Sequence, residues 1–472
     1  MTDSGPDSGD VIVIDVGKTL SKVSLWSQVG RMLDRQVRPN DRCEDGGLRR
    51  LDAAAIGAWL IEALSRYAGQ PVTAIIPVGH GAGVAALVDD ALAFSPLDYE
   101  QPVPDAVMQA YRTERDSFAR TGSPALPDGL NVASQLYWLE QLYPDAMARA
   151  TVLPWAQYWA WFLSGIAVSE VTSLGCHSDL WRPADACFSD LATRHGWAER
   201  FAPLARAGDA IGTLHPDLAA RTGLSAAVRV LAGLHDSNAA LLAARGFAEI
   251  ADHEATVLST GTWFIALRSG AQEAPDISAL PEARDCLVNV DAFGQPVPSA
   301  RFMGGREIET VIAIDTRRVD IKPDQPALLA KVPELLENGA MLLPTLAPGF
   351  GPFPGDKGRW IKDPDDWHAR RAAVCLYAAL VTDVMLDLIG ARDRVLIEGR
   401  FAEAEVFTRA LAALRPDSAV YCANAHNDVS FGALRLIYPD LQPQGELRRV
   451  ERLAGDLDAY RSRWLAEIGA MA

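Results

Sequence analysis

The segment VIVIDVGKTLSKVSLW, residues 11–26, has the pattern of two short strands joined by a polar turn. Its apolar start predicts a buried strand, and Gly17 allows the chain to bend tightly. The bend carries Asp15, Lys18 and Thr19, which are residue types that bind phosphate and its metal ion. An ordinary polar hairpin explains the same residues, because the segment lacks the GxxxxGK[ST] pattern of a P-loop. The rest of the chain has to decide between these two interpretations.

The composition is that of a large globular protein. The chain has 472 residues, of which 49% are hydrophobic and 22% are charged, so we expect two or three domains with sizeable cores. A net charge of −17 argues against a nucleic-acid-binding surface, which needs a basic patch, and does not favour anionic lipid. No apolar run approaches the roughly 18 residues of a membrane span. We therefore expect neither nucleic acid nor a membrane as a partner.

The cysteines and the first residues bear on the cellular compartment. Six cysteines are scattered without a CxxC spacing, which indicates reduced thiols rather than a disulfide framework or a zinc site. Residues 1–9 are polar and acidic and lack the basic-then-apolar order of a signal peptide. We predict that this segment is disordered and that the protein is cytoplasmic.

A strand meander occurs twice along the chain. Residues 11–38 predict three short strands, and Asp52 is a plausible N-cap for a helix over 52–67. The segments 255–270 and 286–302 again predict strand, glycine turn and further strands. The two copies have negligible sequence identity, so the repeat is one of architecture. Strands alternating with helices in two copies predict two related α/β domains.

Later segments continue the same alternation. The segments 232–246, 394–414 and 419–439 each predict a strand, a turn and a helix, and 369–390 predicts a long helix. A domain boundary is expected shortly after the first of these helices, at 245–254.

Two further motifs resemble parts of a phosphoryl-transfer site. In LSTGTW, Gly261 lies between Thr260 and Thr262, and in GLHDSNAA, Asp236 lies just before a predicted helix. Taken separately, the first is good turn chemistry and the second is a plain helix cap. Two glycine turns at equivalent places in duplicated domains are a stronger signal than either turn alone. Together they could bind one polyphosphate from both sides. Asp236 would then be a general base that accepts the proton of an attacking hydroxyl.

The order of these motifs resembles the FGGY carbohydrate kinases. DVGKTLSK, GLHDSNAA, LSTGTW and a late glycine turn that opens a helix cover about residues 11–440, and the first two motifs after the hairpin look most like the rhamnulokinase and fuculokinase branches. The resemblance implies two actin-like (ribonuclease-H-like) ATPase domains facing each other across a cleft. It also implies ATP and Mg²⁺, and a small sugar as the phosphoryl acceptor at a terminal hydroxyl. The implied sugar is a ketose of the L-fuculose, L-rhamnulose, xylulose or ribulose class.

The resemblance assigns roles to individual residues. Asp236 matches the catalytic base, and Asp15 matches the aspartate associated with Mg²⁺. The implied contacts to the ATP phosphates are Gly17, Lys18, Thr19, Lys22, Gly261 and Thr262. The implied contacts to the sugar are His80, Gly81, His177, Asp236 and Ser237.

The adenosine loop departs from the family pattern. The family commonly has GGGSxN, and the corresponding segment here is EGRFAE, residues 398–403. Gly399 is retained, whereas Glu398, Arg400 and Glu403 depart from the pattern. We expect Gly399, Arg400 and Glu403 to line the adenosine site. Lys18 is a second departure, because the family often has threonine there. It is either a solvated turn lysine or an added charge near the β- and γ-phosphates.

The sequence leaves some alternatives open. His177, Ser178 and Asp179 lie between apolar residues, which fits a buried hydrogen-bond network as well as a sugar contact. A homodimer is one assembly that we consider. An actin-like ATP-binding sensor, or a sugar-binding regulator without turnover, is the alternative to a kinase. A nucleotide-only switch does not need the acid Asp236.

The resemblance also divides the chain into domains. We predict a sugar-binding N-terminal domain with the catalytic acid and first phosphate turn, followed by a nucleotide-binding C-terminal domain and a helical tail. These segments are 10–248, 249–440 and 441–472, after the disordered residues 1–9.

Overall fold

The fold is that of a computed structural model, which describes residues 9–423 and 428–470. Most of the segment predicted to be disordered, residues 1–9, lies outside this range, as does the turn predicted after the strand at 419–423. None of the helices in the described part of the chain is long and apolar enough to cross a membrane.

The strands are numbered here in chain order. Those of the first half are β1 (Asp10–Val16), β2 (Leu20–Trp26), β3 (Met32–Pro39), β4 (Cys43–Asp45), β5 (Leu48–Arg50), β6 (Val72–Gly79), β7 (Val84–Val88), β8 (Ala91–Leu92), β9 (Thr151–Pro154), β10 (Trp181–Arg182), β11 (Cys187–Phe188), β12 (Ala210–Thr213), β13 (Arg229–Leu231) and β14 (Leu234–His235). Those of the second half are β15 (Ala255–Thr260), β16 (Phe264–Ser269), β17 (Cys286–Val290), β18 (Pro296–Phe302), β19 (Met341–Leu343), β20 (Arg359–Ile361), β21 (Arg394–Gly399), β22 (Ala419–Ala423) and β23 (Leu447–Arg449).

The α-helices are numbered in the same way. Those of the first half are α1 (Ala53–Ser65), α2 (Asp105–Glu114), α3 (Phe118–Thr121), α4 (Val132–Leu142), α5 (Pro144–Arg149), α6 (Trp155–Ser164), α7 (Val171–Leu174), α8 (Asp190–Arg194), α9 (Trp197–Arg200), α10 (Pro216–Thr222) and α11 (Asp236–Ala244). Those of the second half are α12 (Ala248–Ala251), α13 (Gly304–Ile312), α14 (Gln325–Asn338), α15 (Trp367–Leu388), α16 (Glu405–Leu414), α17 (Val429–Leu434) and α18 (Leu457–Gly469).

The chain divides into two compact units. Unit 1 consists of the residues up to Gly246, the segment Val288–Pro296 and the segment that ends at Pro443. Unit 2 consists of Phe247–Leu287, the described residues from Val297 to 423, and the chain after Pro443. The segment that the sequence analysis separates as a helical tail contributes β23 and α18 to unit 2.

Unit 1 is built on a mixed sheet with the order β12-β13-β6-β1-β2-β3, in which β14 also pairs with β6. β1 is antiparallel to β2 and parallel to β6. Ile12 and Ile14 belong to the core that contains α1, whereas Val11 and Val13 belong to the core that contains α11 and α17. The apolar run at the start of the chain is therefore continuous because β1 is covered on both faces. The predicted cap of α1 is confirmed, since Asp52 accepts a hydrogen bond from the Ala55 amide at 2.9 Å.

Unit 2 repeats the mixed-sheet plan. Its sheet has the order β17-β18-β16-β15-β21-β22-β23, with β15 antiparallel to β16 and parallel to β21. The second meander predicted from the sequence corresponds to β15, β16, β17 and β18, and the long helix predicted at 369–390 is α15. The core lies between this sheet and α13–α16 and α18. The fold class predicted from the sequence, α/β with two related domains, is thus observed.

Helix α11 is held against α17 by a glycine. A Cβ atom added to Gly432 would lie 1.7 Å from the carbonyl oxygen of Ala239, a backbone atom in the middle of α11. Ala239 and the neighbouring Phe431 are buried in the same core. Since the backbone leaves no space for a side chain, this helix crossing depends on glycine at position 432.

We expect Gly432→Ala to destabilise the protein by about 3 kcal/mol, the upper end of the usual cost of overpacking. Urea unfolding followed by circular dichroism measures this loss. Gly469→Ala in α18 is the matched control, because an added Cβ there has no atom within 4 Å; it should leave stability unchanged or raise it by up to about 1 kcal/mol. Equal stability of the two variants would contradict the packing argument.

Candidate active site

Three neighbouring parallel strands of unit 1 end in one row. Val16 of β1 is paired with Gly79 of β6, and Gly79 is paired with His235 of β14. Asp15 precedes this row by one residue, and His80 and Asp236 follow it by one residue. Strand pairing therefore brings together three sequence-predicted site residues that are separated by more than 60 positions in the chain. Ligands commonly bind at the carboxyl ends of parallel strands in α/β folds.

The turn after β1 is a tight hairpin that is stabilised by hydrogen bonds from Asn40. The Gly17 amide donates to the Leu20 carbonyl at 3.0 Å, which closes a two-residue loop. Asn40 donates from Nδ2 to the Gly17 carbonyl and from its backbone amide to the Thr19 carbonyl, both at 2.8 Å. Ser21 donates to Asn40 Oδ1 at 2.8 Å and so fixes the amide orientation. Sequence reasoning missed Asn40, because its relation to the turn arises from the pairing of β2 with β3.

Asp15 and Lys22 form an ion pair across the hairpin. Their strands pair these two residues directly, and Lys22 Nζ lies 2.9 Å from Asp15 Oδ2. Burial raises the pKa of Asp15, Lys22 opposes this shift, and the negative charges of Asp236 and Asp428 add to it. Asp15 therefore lies in a field of several carboxylates with one lysine close by.

Asp428 is a second residue that sequence reasoning missed. It caps α17, accepting from the Ser430 amide at 2.8 Å, and forms an ion pair with Arg35 at 2.5 Å. The available signal was its place just before an apolar helix near the end of the strand–turn–helix segment at 419–439. Its approach to Asp15 depends on how α17 packs on the sheet of unit 1.

Asp236 is the first residue of α11 and its side chain is 31% exposed. Oδ1 lies 3.2 Å from His235 Nε2 and accepts a hydrogen bond from Ser237 Oγ at 3.3 Å. Burial raises the pKa of Asp236, while His80, hydrogen bonds from Ser237 and the Lys22 charge lower it. A carboxylate at a helix N-terminus with a raised pKa and partial access to solvent is suited to accept a proton.

The glycine loop after β6 lies beside this carboxylate. His80 is buried, its Nδ1 lies 2.7 Å from the Gly81 carbonyl, and burial lowers the pKa of its imidazole. The His80 ring packs edge-on against Tyr99, with 5.5 Å between the ring centroids. A Cβ atom on Gly81 would lie 2.7 Å from His235 Nε2. Glycine is thus required at position 81 because the loop passes directly over His235.

Lys18 points toward this loop. Its ammonium group forms an ion pair with the buried Asp98 and lies over the ring of Tyr99, 4.4 Å from the centroid. The positive charge of Lys18 also acts on His80, where it lowers the imidazole pKa. The Lys18 side chain is therefore engaged with the segment after β8 and is not a solvated turn lysine.

The polar group at 177–179 is a hydrogen-bonded network. Asp179 is buried and accepts two hydrogen bonds from Arg115, each at 3.0 Å, and one from Tyr111. Ser178 donates to the Leu174 carbonyl, and His177 Nδ1 lies 2.9 Å from the Leu130 carbonyl. Of the two interpretations left open by the sequence, the network is the one observed, and a role of His177 in sugar binding stays a prediction.

In unit 2 the corresponding glycine turn follows β15. The Gly261 amide donates to the Trp263 carbonyl at 2.9 Å. A Cβ atom on Gly261 would meet only that carbonyl oxygen, at 3.7 Å, so the protein itself leaves room for a side chain. By contrast, a Cβ on Gly305 at the start of α13 would lie 2.0 Å from the Gly261 carbonyl oxygen. The Arg306 amide donates to the Thr262 carbonyl at 3.3 Å.

The segment EGRFAE packs against the end of β15, next to the Gly261 turn. Gly399 has φ +88°, and an added Cβ would lie 2.3 Å from the Thr260 carbonyl oxygen, which explains why this glycine is retained. Thr260 also donates to the Glu398 carbonyl. Unit 2 thus brings together the turn predicted to contact the ATP phosphates and the segment predicted to hold adenosine.

Two of the three charged residues that depart from the family pattern, Arg400 and Glu403, are in ion pairs. Arg400 contacts Glu309 of α13 at 3.2 Å, and Glu403 contacts Lys322 at 3.2 Å. The pair of Arg400 with Glu309 joins EGRFAE to α13, and sequence reasoning did not foresee Glu309 as part of the site. Burial raises the pKa of the neighbouring Glu398 to about 8.

The described residues fit a Mg²⁺ ion that is shared with a phosphate ligand. Within residues 9–423 and 428–470 there is no group of three or more His, Cys, Asp or Glu side chains that could hold a metal alone. Mg²⁺ typically uses one or two carboxylates together with water and substrate phosphates. Asp15 Oδ2 binds Lys22, and Oδ1 faces the turn, 3.9 Å from where a Cβ on Gly17 would lie.

The chain is similar to known carbohydrate kinases in sequence and in structure. The family model described as the C-terminal domain of carbohydrate kinase FGGY matches residues 252–445. A solved carbohydrate kinase from Novosphingobium aromaticivorans is 72% identical, with a TM-score of 0.95 over 97% of this chain and 100% of that one.

Two more distant relatives were found, one by its structure and one by its sequence. Plasmodium falciparum glycerol kinase, solved with ADP, is 10% identical, with a TM-score of 0.79 over 98% of each chain. The L-fuculokinase of Escherichia coli K12 is 25% identical over 327 residues, which is 64% of this chain, and the chain spans 65% of the length of that relative. The two-unit α/β fold, the family model and the highly similar carbohydrate kinase agree, and this chain belongs to the FGGY family of carbohydrate kinases.

Proposed function

We propose that this protein transfers the γ-phosphoryl group of ATP to a terminal hydroxyl of a small sugar. The observation that carries the proposal is the row of strand ends in unit 1, where Asp236 lies within electrostatic reach of Asp15 and Lys22. A proton acceptor and a phosphate-binding turn are the two parts that phosphoryl transfer to an alcohol needs in one place.

In this proposal Asp236 accepts the proton of the sugar hydroxyl as its oxygen attacks phosphorus. The raised pKa of Asp236 makes it a better proton acceptor, while its place at the N-terminus of α11 favours the ionised form that accepts the proton. Lys22 and the backbone amides of the hairpin stabilise negative charge on the transferring group. Bound through Asp15, directly or by water, Mg²⁺ would supply further charge neutralisation to the phosphates.

The acceptor is proposed to be a ketose that is bound by the loop after β6. Support comes from the 25% identity to an L-fuculokinase and from the side chains near Asp236, which include His80, Tyr99 and Lys18. These groups offer both donors and acceptors to a neutral polyhydroxyl compound. The adenosine contacts of Gly399, Arg400 and Glu403, the homodimer and the cytoplasmic location stay predictions.

A coupled ADP-release assay with ATP and Mg²⁺, run over ketoses, aldoses and polyols, tests the proposal. Turnover with a ketose that exceeds turnover with water by at least a hundredfold is the expected result. Absence of sugar-dependent ADP release across the panel would overturn it.

We expect Asp236→Asn to lower turnover by about 10²–10⁴-fold, since the amide does not accept the hydroxyl proton. ATP affinity, measured by calorimetry, should change less than threefold because the substitution keeps the shape of the side chain. Asp217→Asn, an equivalent change in the first turn of the remote helix α10, should keep turnover within twofold. Near-normal turnover of the Asp236 variant would rule out the assigned base.

We expect Gly261→Val to weaken ATP binding by at least tenfold, because a side chain there keeps phosphate away from the turn amides. The protein leaves room at this position, so the free energy of unfolding should fall by no more than about 1 kcal/mol. Gly355→Val is the control, since a Cβ at that loop glycine meets no atom within 4 Å. Unchanged ATP affinity in the Gly261 variant would contradict the two-turn arrangement.

We expect Lys18→Thr to raise the KM for the sugar more than the KM for ATP. The ammonium group lies on Asp98 and Tyr99, next to His80, so its loss disturbs the proposed sugar side of the turn. The double variant Lys18→Thr/Asp98→Asn removes the unpaired buried carboxylate and should recover stability without recovering the sugar KM. A larger rise in the KM for ATP would assign Lys18 to the phosphates instead.

A further inference from the structure

Arg400 carries a charge that the mechanism above does not use. It lies in EGRFAE, at a place where the family pattern GGGSxN has a glycine. The departure therefore puts a side chain with a permanent positive charge where the family commonly has none. The side chain of Arg400 is 23% exposed, so part of it is open to a ligand.

The parallel pairing of β15 and β21 places Arg400 beside the Gly261 turn. Thr260 of β15 is paired with Gly399 of β21, and Gly261 and Arg400 are the residues that follow this pair. They therefore leave the sheet at the same edge, the carboxyl end at which α/β folds commonly bind ligands. The Phe401 amide donates to Thr260 Oγ1 at 3.2 Å, which holds the start of the segment against β15.

The guanidinium group of Arg400 also lies close to the start of α13. A Cβ atom on Gly305 would lie 3.1 Å from Arg400 Nη2 and 2.0 Å from the Gly261 carbonyl oxygen, so both groups adjoin the same glycine. α13 begins at Gly304 without a hydrogen bond from a capping side chain, and a helix N-terminus carries a partial positive charge. Positive charge from two sources thus lies beside one glycine turn.

Most donors of this guanidinium are not used by the protein. Arginine has five N–H donors, and within the described part of the chain Arg400 makes one hydrogen bond, from Nη2 to Glu309 Oε1 at 3.2 Å. The same oxygen of Glu309 accepts from the amide and the hydroxyl of Thr316. Glu309 therefore orients the guanidinium from one side and leaves further N–H groups for a ligand with several oxygen atoms.

The acidic residues of EGRFAE do not cancel the charge of Arg400. Burial raises the pKa of Glu398 to about 8, so its carboxyl group is mostly protonated and neutral at pH 7. Glu403 is paired with Lys322 at 3.2 Å. The acid in direct contact with Arg400 is Glu309, and a partly exposed ion pair of this kind is weak enough to admit a second anion.

Resting on the proposed function, we infer that Arg400 is a phosphate-binding residue, which donates from its guanidinium to the polyphosphate of the nucleotide at the Gly261 turn. Arginine suits this role because its planar guanidinium forms paired hydrogen bonds with phosphate oxygens. The turn LSTGTW has no charged residue of its own, and Arg400 supplies that charge. For Arg400, this inference takes the place of the adenosine contact expected from the sequence.

Ligands that share only part of the nucleotide test the inference by calorimetry. The Kd values of ADP with Mg²⁺, inorganic triphosphate and adenosine are measured for the wild type and for Arg400→Gln. We expect ADP and triphosphate to bind about 10–100-fold more weakly to the variant, as for lost hydrogen bonds between charged groups. Adenosine should bind within threefold of the wild type, which also shows that the variant is folded. Arg400→Lys keeps the charge without the planar fork and should recover part of the lost affinity.

The adenosine measurement decides between the two assignments of Arg400. Equal weakening of all three ligands in Arg400→Gln would place the residue with the nucleoside or in the packing of the loop, and would overturn the inference. Unchanged affinity for ADP and triphosphate would overturn it as well.

Glu309→Gln separates a phosphate contact from a merely structural ion pair. The amide keeps an oxygen that accepts from Arg400 and Thr316 but removes the negative charge, so ADP and triphosphate should bind about two- to fivefold more tightly. If Arg400 served only to pair with Glu309, this variant would instead weaken binding as Arg400→Gln does, and the inference would fail. Arg359→Gln, which removes an arginine paired with Glu467, is the matched control and should change each Kd less than twofold.

These affinities separate the inference from the proposed function, because none of them requires sugar turnover. Absence of sugar-dependent ADP release overturns the proposed kinase, and the Kd values still decide whether Arg400 contacts phosphate. A wild-type protein that binds neither ADP nor triphosphate overturns the inference, whatever the sugar assay gives.

Discussion

The parallel pairing of β1, β6 and β14 is the constraint on which the site depends. In the observed register, Val16 pairs with Gly79 and Gly79 pairs with His235. The residues that follow, His80 and Asp236, therefore lie at the same edge of the sheet. A shift of one residue would exchange the faces of the strands and bury Asp15 in the wrong core. The continuous apolar run of β1, covered on both faces, makes such a shift costly. The chemistry at the edge is therefore positioned by hydrophobic packing two or more residues away.

The second consequence of this pairing is electrostatic. The charges of Asp236 and Asp428 act on Asp15, and burial disfavours the charged forms of Asp15 and Asp236. Lys22 is the one lysine in direct contact with Asp15 among the described ion pairs, so the field stays negative near the hairpin amides. Such a field disfavours an approaching polyphosphate unless a cation comes with it. The carboxylates thus agree with a nucleotide that binds as its metal complex, while burial keeps Asp236 from being too acidic to accept a proton.

The sequence was sufficient for the parts of the fold and site that are local. The alternation of strands and helices, the cap at Asp52, the two glycine turns and the acid that begins α11 all depend on residues within a few positions of one another. Asn40, Asp428 and Glu309 were missed because each reaches its partner through strand pairing or helix packing. Lys18 illustrates the same limit: its turn was evident, but its partner Asp98 lies 80 positions away. For EGRFAE the sequence showed only that the segment departs from the family's adenosine loop. The ion pairs of Arg400 and Glu403 could not be predicted, because their partners lie on other elements.

The glycines of the site fall into two groups: those that the packing of the protein requires, and one that packing does not require. Gly81, Gly305 and Gly399 are required by the protein, because a side chain would strike His235 or a backbone carbonyl. Gly261 is different: its only neighbour lies at ordinary contact distance, and the fold would accept a larger residue. Glycine loses more conformational entropy on folding than other residues. Where the packing of the chain does not require glycine, its presence is better explained by contact with a ligand. Close approach of a ligand to the backbone of that turn is such a reason, and the same reason applies to the hairpin at Gly17 in the other unit.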